Sequence, residues 1–317
     1  MRARRSTHRA RPRAACATVV DRRTVLKAGA AAGIACALPY RAPAAERFNL
    51  HYAPHAGLFE HSAGPDIVDQ IAYAAEAGFT AWEDNDMRGR SVAEQERLGA
   101  ALAEHGMRMG VFVAHRISWS EPGLTTGDPA KRDAFLEDIR ESVEVAKRVN
   151  ATWMTVVPDH VEPRLQHDFQ MAHVVEALKR ASAILEPHGL VMVLEPLNFR
   201  DHPGMFLTEI PQAYLICKAV GSPACKILFD MYHQQITEGN IIPNIDAAWD
   251  EIAYFQVGDV PGRNEPTTGE MHYRNIFRHI HAKGYTGILG MEHGKSRDGV
   301  AGERALIDAY RYCDAFL

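Results

Sequence analysis

The feature that most restricts how this chain can fold is an apolar strand that runs straight into an acid and stops. Val191-Met192-Val193-Leu194 leads into Glu195, and Pro196 ends the run. A strand buried on both faces reads as an unbroken apolar stretch. A carboxylate at its end is costly to bury unless it is paired or bound to a metal. The pattern returns three times. Lys226-Ile227-Leu228-Phe229 ends in Asp230, Ile252-Ala253-Tyr254-Phe255 in Gln256, and Gly287-Ile288-Leu289-Gly290-Met291 in Glu292. The four polar residues stand 35, 26 and 36 positions apart, close to the roughly 30 residues that one strand-loop-helix-loop unit needs. Four oxygen-bearing side chains are therefore expected side by side at the C-terminal ends of successive parallel strands, where barrels of such units build their sites.

The first half of the chain follows the same alternation. Strands are expected at 48–52, 79–83, 107–113 and 152–157, with helices at 65–77 and 92–105. A long helix opens at Pro129, and its Phe135, Ile139, Val143, Ala146 and Val149 share one face at steps of three and four. Further helices are expected within 169–187, from about 209 to 220, and over 302–316. Eight strands with intervening helices predict a single (β/α)8 TIM barrel over 46–317. Apolar residues at 46% and charged residues at 24% fit an ordinary globular protein. A formal charge of −5 argues against nucleic acid as a partner. Neither Gly-x-Gly-x-x-Gly after the first strand nor a phosphate-binding Gly-x-x-x-x-Gly-Lys occurs. Cys217, Cys225 and Cys313 lack metal-type spacing and are expected as buried free thiols.

Residues 1–45 read as an address rather than as part of the barrel. An arginine-rich stretch precedes the short apolar run from Ala28 to Leu38, and Ala42-Pro43-Ala44 offers a small-residue cleavage site. Asp21-Arg22-Arg23-Thr24-Val25-Leu26-Lys27 resembles a bacterial twin-arginine signal. The expectation is a cleavable signal segment, a periplasmic or exported protein, and the twin-arginine export machinery as a partner.

Glu195, Asp230, Gln256 and Glu292 form an all-oxygen set that suits Mg²⁺ or Mn²⁺. A bound cation polarises a carbonyl and acidifies the neighbouring C–H, and a carboxylate is then a sufficient base. Glu195 and Glu292, on opposite sides of a substrate carbon, are the candidate catalytic pair for proton removal and return through an enediolate. His233, three residues past Asp230, and Arg263, in the polar loop after the seventh strand, are candidate substrate-binding residues. The partner is a small hydroxy-carbonyl or sugar molecule. Homo-oligomerisation stays open.

Glu195-Pro196-Leu197-Asn198, Phe229-Asp230-Met231-Tyr232-His233, the run from Gln256 to Glu270, and Met291-Glu292-His293 together resemble the hydroxypyruvate isomerase family of xylose-isomerase-like barrels. The likeness runs from Phe48 to Phe316 and departs mildly at Thr267-Thr268-Gly269. It implies a divalent-metal site, catalytic glutamates at Glu195 and Glu292, and substrate contacts from His233 and Arg263. The implied reaction interconverts hydroxypyruvate and tartronate semialdehyde. Rival readings are a keto-sugar 3-epimerase, a keto-glycoside isomerase or lyase of the same superfamily, a non-catalytic sugar-binding protein, and a nuclease. His51, His55, His61 and His115-Arg116 are not matched to the family's pocket.

Overall fold

The structure is a computed structural model and describes residues 46–317. The expected signal segment lies outside the described residues. Eight strands follow in order: β1 His51–Ala53, β2 Ala81–Trp82, β3 Arg108–Met109, β4 Trp153–Val156, β5 Val191–Leu194, β6 Cys225–Asp230, β7 Ile252–Gln256 and β8 Ile288–Gly290. β4 through β8 and then β1 form one continuous sheet in which every pair is parallel. β2 pairs with β3. Single parallel bridges close the ring: His55 to Glu83 between β1 and β2, and Met109 to Ala151 and Val113 to Thr155 between β3 and β4. The curled sheet is the expected TIM barrel. β2 and β3 keep only two ladder residues each, shorter than the sequence suggested.

The connecting helices begin and end where local chemistry dictates. The Asp128 side chain accepts from Ala130 N at the start of helix Pro129–Val149, and Asn150 in the left-handed region ends it. Its buried stripe includes Phe135, Ile139, Val143, Ala146 and Val149, as the periodicity required. Three helices that the sequence reading did not delimit fill the later connections: Met231–Thr237, Ile241–Ala248 and Tyr273–Ala282. The first has no linker before it, because Asp230 ends β6 and is also the N-cap of the helix. Cys217, Cys225 and Cys313 are buried and free.

Side chains alternate across a strand, and the barrel uses that parity throughout. Ala53, Ala81, Val111, Val193, Leu228, Tyr254 and Ile288 form one buried cluster inside the ring. Trp82, Phe112, Leu194, Phe229, Phe255 and Leu289, one position along, pack in the outer cluster between sheet and helices. Burying each large apolar side chain contributes about 1.5–3 kcal/mol relative to exposure. The next inward position along each strand is Glu83, Glu195, Asp230, Gln256 or Gly290. The inner apolar layer thus becomes the floor of a polar site, two residues from its own members.

Candidate active site

The rim of the second half-barrel brings together all four strand-end residues. Asp230 and Gln256 are register partners at the ends of β6 and β7, and Gln256 faces Gly290 of β8. Glu195 directly extends β5 and Glu292 follows β8 after Met291, each two positions past an inward-facing residue, Val193 or Gly290. Asp230 is fixed by its own helix, since its Oδ1 accepts from Tyr232 N at 2.7 Å and from His233 N at 3.4 Å. Its second oxygen, Oδ2, receives Arg263 Nη2 at 2.9 Å.

Glu83 joins the group from β2, a residue the sequence reading placed at a strand end but left out of the site. It is 1% exposed. Tyr254 Oη donates to its Oε2 at 2.7 Å, and Gln256 Nε2 donates to its Oε1 at 3.0 Å. The amide orientation of Gln256 is thereby set, with Oε1 turned away from Glu83, buried and without a partner. Gly290 makes the room: a Cβ there would overlap Glu83 Oε2 and crowd Gln256. The signal for Glu83 was present in the apolar run Phe79-Thr80-Ala81-Trp82 that ends in an acid, the same grammar as the other four strands.

His233 is 1% exposed, with Nε2 3.6 Å from both Glu195 Oε1 and Asp230 Oδ2. Asn198 approaches the other ring nitrogen, its backbone N–H at 3.2 Å and its Nδ2 at 2.7 Å from Nδ1. Two donors on Nδ1 make it the acceptor and leave the proton on Nε2, so His233 presents an N–H to the carboxylates. Burial pushes its pKa down to about 4, which keeps the ring neutral. His202 lies edge-on to it at 5.4 Å, and the exposed Trp119 packs on His202 at 5.2 Å.

Arg263 sits in the loop after β7 with φ at +49°, a region that non-glycine residues enter at a cost of about 1 kcal/mol or more. Its loop is held by Asp259, which accepts from Val260 N, Gly269 N and Met271 N. The guanidinium stacks over Tyr232, its Nη2 bridges Asp230 Oδ2 and Glu292 Oε2 at 2.9 and 2.8 Å, and its Nε donates to Glu292 O. Asn85 Nδ2 donates to the other Glu292 oxygen at 2.9 Å.

Arg263 thus bonds Asp230 and Glu292 and feels the charge of Glu195, while Glu83 stands apart from it. Burial, reinforced by Glu292 and Asp230, drives the Glu195 carboxyl well above its ordinary range. Burial likewise raises Glu292 to about 7, against the pull of Arg263, and Glu83 to about 8, with Glu292 as its next contributor. Arg263 alone leaves such a cluster short of positive charge. Glu195 and Asp230 place carboxylate oxygens within 4.8 Å of each other beside the His233 ring, and Gln256 Oε1 is a buried acceptor without a partner. A hard divalent cation matches this oxygen-rich donor set. The residues present fit the ion.

The matching family model, a xylose isomerase-like TIM barrel, spans residues 71–313. The chain belongs to the xylose isomerase-like TIM barrel family. It is 31% identical over 229 residues to 2-oxo-tetronate isomerase of Cupriavidus necator, covering 72% of this chain and 86% of that one. It is 29% identical to hydroxypyruvate isomerase of Escherichia coli, covering 78% and 94%. Among solved structures, the D-psicose 3-epimerase of Clostridium cellulolyticum superposes with a TM-score of 0.69 at 17% identity, over 83% of this chain and 98% of that one. An AP endonuclease, family 2, from Brucella melitensis gives 0.71 at 24%, over 80% and 96%. At those identities the structural likeness speaks for the fold.

The unmatched histidines divide. His55 lies at the site, in a pocket beside Glu292. His51 meets Thr80 and His61 meets Glu303. His115 is buried, where it accepts from Val157 N, and Arg116 grips Asp138 on the outer rim.

Proposed function

We propose that this protein is a divalent-metal-dependent isomerase that moves a proton between neighbouring carbons of an α-hydroxy carbonyl compound through an enediolate. Hydroxypyruvate and tartronate semialdehyde are the reference pair. The observation that carries the reading is the convergence of buried Glu195, Asp230 and Gln256 with half-buried Glu292 at one rim, the Gln256 Oε1 acceptor being unpartnered. The isomerase names of the relatives support it.

Glu195, Asp230, Gln256 and Glu292 would hold Mg²⁺ or Mn²⁺. The bound ion supplies Lewis acidity, which polarises the substrate carbonyl and loosens the adjacent C–H. Glu195 and Glu292 divide the proton work. One takes the carbon-bound proton and returns it to the neighbouring carbon, and the other passes a proton between the two oxygens. Coordination to the cation would keep both carboxylates ionised, and the acidified C–H brings the substrate within reach of such a base. The Nε2–H of His233 donates to a substrate oxygen as charge develops there. Arg263 positions Glu292 and screens its charge.

Glu292→Gln tests this reading. It keeps the volume and the Asn85 and Arg263 neighbours but removes the base. The expected result is a loss in kcat of about 10²–10⁴-fold with the fold retained; near-normal turnover would defeat the mechanism. The export of the folded protein by the twin-arginine route is part of the same proposal, resting on Arg22-Arg23 and the segment around them. Continued export after both are changed to Lys would remove it.

A further inference from the structure

The loop after β7 holds a buried acid that the proton-transfer chemistry leaves unused. Glu265, two residues past Arg263, is 2% exposed. Both of its carboxylate oxygens go to one residue of the loop after β8: Oε2 accepts from Ser296 N at 2.9 Å, and Oε1 accepts from Ser296 Oγ. A carboxylate is costly to bury, and two charge-assisted hydrogen bonds to a single serine tie it to one position. The pair is a latch between the β7 and β8 loops.

The latched stretch of chain is strained. Arg263 has φ at +49° and Thr267 has φ at +77°, and Glu265 lies midway between them. Non-glycine residues enter this region at a cost, and a β-branched threonine is a true outlier there. Such conformations persist only where the surroundings over-determine them. On the β7 side the support is Asp259, whose O accepts from Arg263 N at 2.9 Å and whose N donates to Asn264 O at 2.8 Å. On the β8 side it is Gly294 N, which donates to Arg263 O at 2.8 Å, together with Glu265 on Ser296. Within the loop, Thr268 Oγ1 donates to Glu265 O at 2.6 Å. The Arg263 backbone is thus held from two sides. From that position its guanidinium reaches Asp230 at the end of β6 and Glu292 beyond β8.

We propose that Glu265 is a positioning residue for Arg263: with Ser296 it locks the β7 loop against the β8 loop and so aims the guanidinium at the carboxylate centre. The kinetic consequence rests on the proton-transfer reading of that centre; the structural consequence rests on the loop geometry alone. Arg263 bonds Asp230 and Glu292 at 2.9 and 2.8 Å, and a misplacement of about 1 Å in such a group can cost on the order of 10²-fold in rate.

A double-mutant cycle tests the assignment. Deuterium uptake from D₂O into hydroxypyruvate is followed with the Mg²⁺-loaded protein for Glu265→Ala, Arg263→Ala and the two combined. Glu265→Ala should lower kcat/KM about 10- to 100-fold when Arg263 is present. Once Arg263 is gone the further loss should be under about twofold, because residues that act through one another are not additive. Glu265→Gln keeps an acceptor and gains a donor for Ser296, and should restore most of the loss. Ser296→Ala, a change at an exposed residue, repeats the cycle with a smaller loss of the same kind, and replaces Glu265→Ala if that chain does not fold. The second readout is the Arg263 Nε–H signal in ¹⁵N NMR, assigned by its disappearance in Arg263→Ala. Nε donates to Glu292 O at 3.0 Å, so its proton should exchange with solvent at least about tenfold faster without the latch. Equal losses with and without Arg263, or an unchanged Nε–H exchange rate, overturn the positioning role and leave the proton-transfer reading intact. A parent chain that exchanges no deuterium into hydroxypyruvate counts against the proton-transfer reading instead, and the Nε–H rate then decides the positioning role by itself.

Discussion

The two halves of the barrel are built differently. From β5 to β8 the ladder is continuous, and each strand delivers one oxygen-bearing side chain to the centre directly or two residues past its inward neighbour. From β1 to β4 the ladder thins to two-residue strands and single bridges, and the loops above it carry the pocket beside Glu292, the His115–Asp138 neighbourhood and the exposed Trp119. A reaction that needs atoms held within fractions of an ångström belongs on rigid strand ends. Binding surfaces tolerate loops. Glu83 crosses between the halves, since it directly follows β2 and holds the Gln256 amide of β7.

Changes on the rigid half should cost most. Asp230→Asn keeps the acceptor that caps helix Met231–Thr237 but removes the charge that faces Arg263. Affinity for Mg²⁺ or Mn²⁺ by titration calorimetry should fall more than about a hundredfold, beyond what loss of an outer partner causes, with activity falling alongside. Undiminished metal binding would remove Asp230 from the ligand set.

A pH experiment probes the looser half. His115 is buried beside Phe135, and burial lowers its pKa to about 4 from 6.5. The unfolded chain therefore takes up a proton below about pH 6.5 that the folded chain refuses until about pH 4. Stability from this residue is complete above 6.5 and declines as pH falls through that window, by about 3 kcal/mol in total. Urea unfolding at pH 7.5 and 4.5 should show a smaller pH-dependent loss in His115→Gln than in the parent chain. Parallel slopes would place the histidine's titration elsewhere.

The smallest expected effect falls on the residue that links the halves. Glu83→Gln keeps the volume but disturbs the acceptor pair that receives Tyr254 and Gln256. Metal affinity and kcat should drop about 10- to 100-fold, the range for outer partners of a metal site, with little change in melting temperature. Glu83→Asp, which restores the carboxyl group but not the reach, should recover part of the metal affinity. An unaltered affinity in both variants would make Glu83 a packing residue only.

The polar residues that gather at the rim were legible in the sequence, because a strand that ends in a polar side chain announces itself wherever it occurs. Glu195, Asp230, Gln256 and Glu292 were read that way, and His233 and Arg263 followed from their neighbours. Glu83 obeyed the same pattern and was still missed. A lone acid 112 residues upstream of Glu195 carries no sign of which partner it will meet. The tautomer of His233 was likewise out of reach, since it depends on Asn198, 35 residues away.

The sequence by itself determined the strand–helix alternation, the inward parity of each strand and hence the donors that reach the rim. Those follow from local periodicity and from the cost of burying a charge. Closure of the ring decided the rest: that Gly290 leaves room for Glu83, that Glu83 turns the Gln256 oxygen inward, and that a pocket opens beside Glu292. Each of these is a contact between residues remote in the chain, and only the geometry of a closed barrel fixes which side chains share a space.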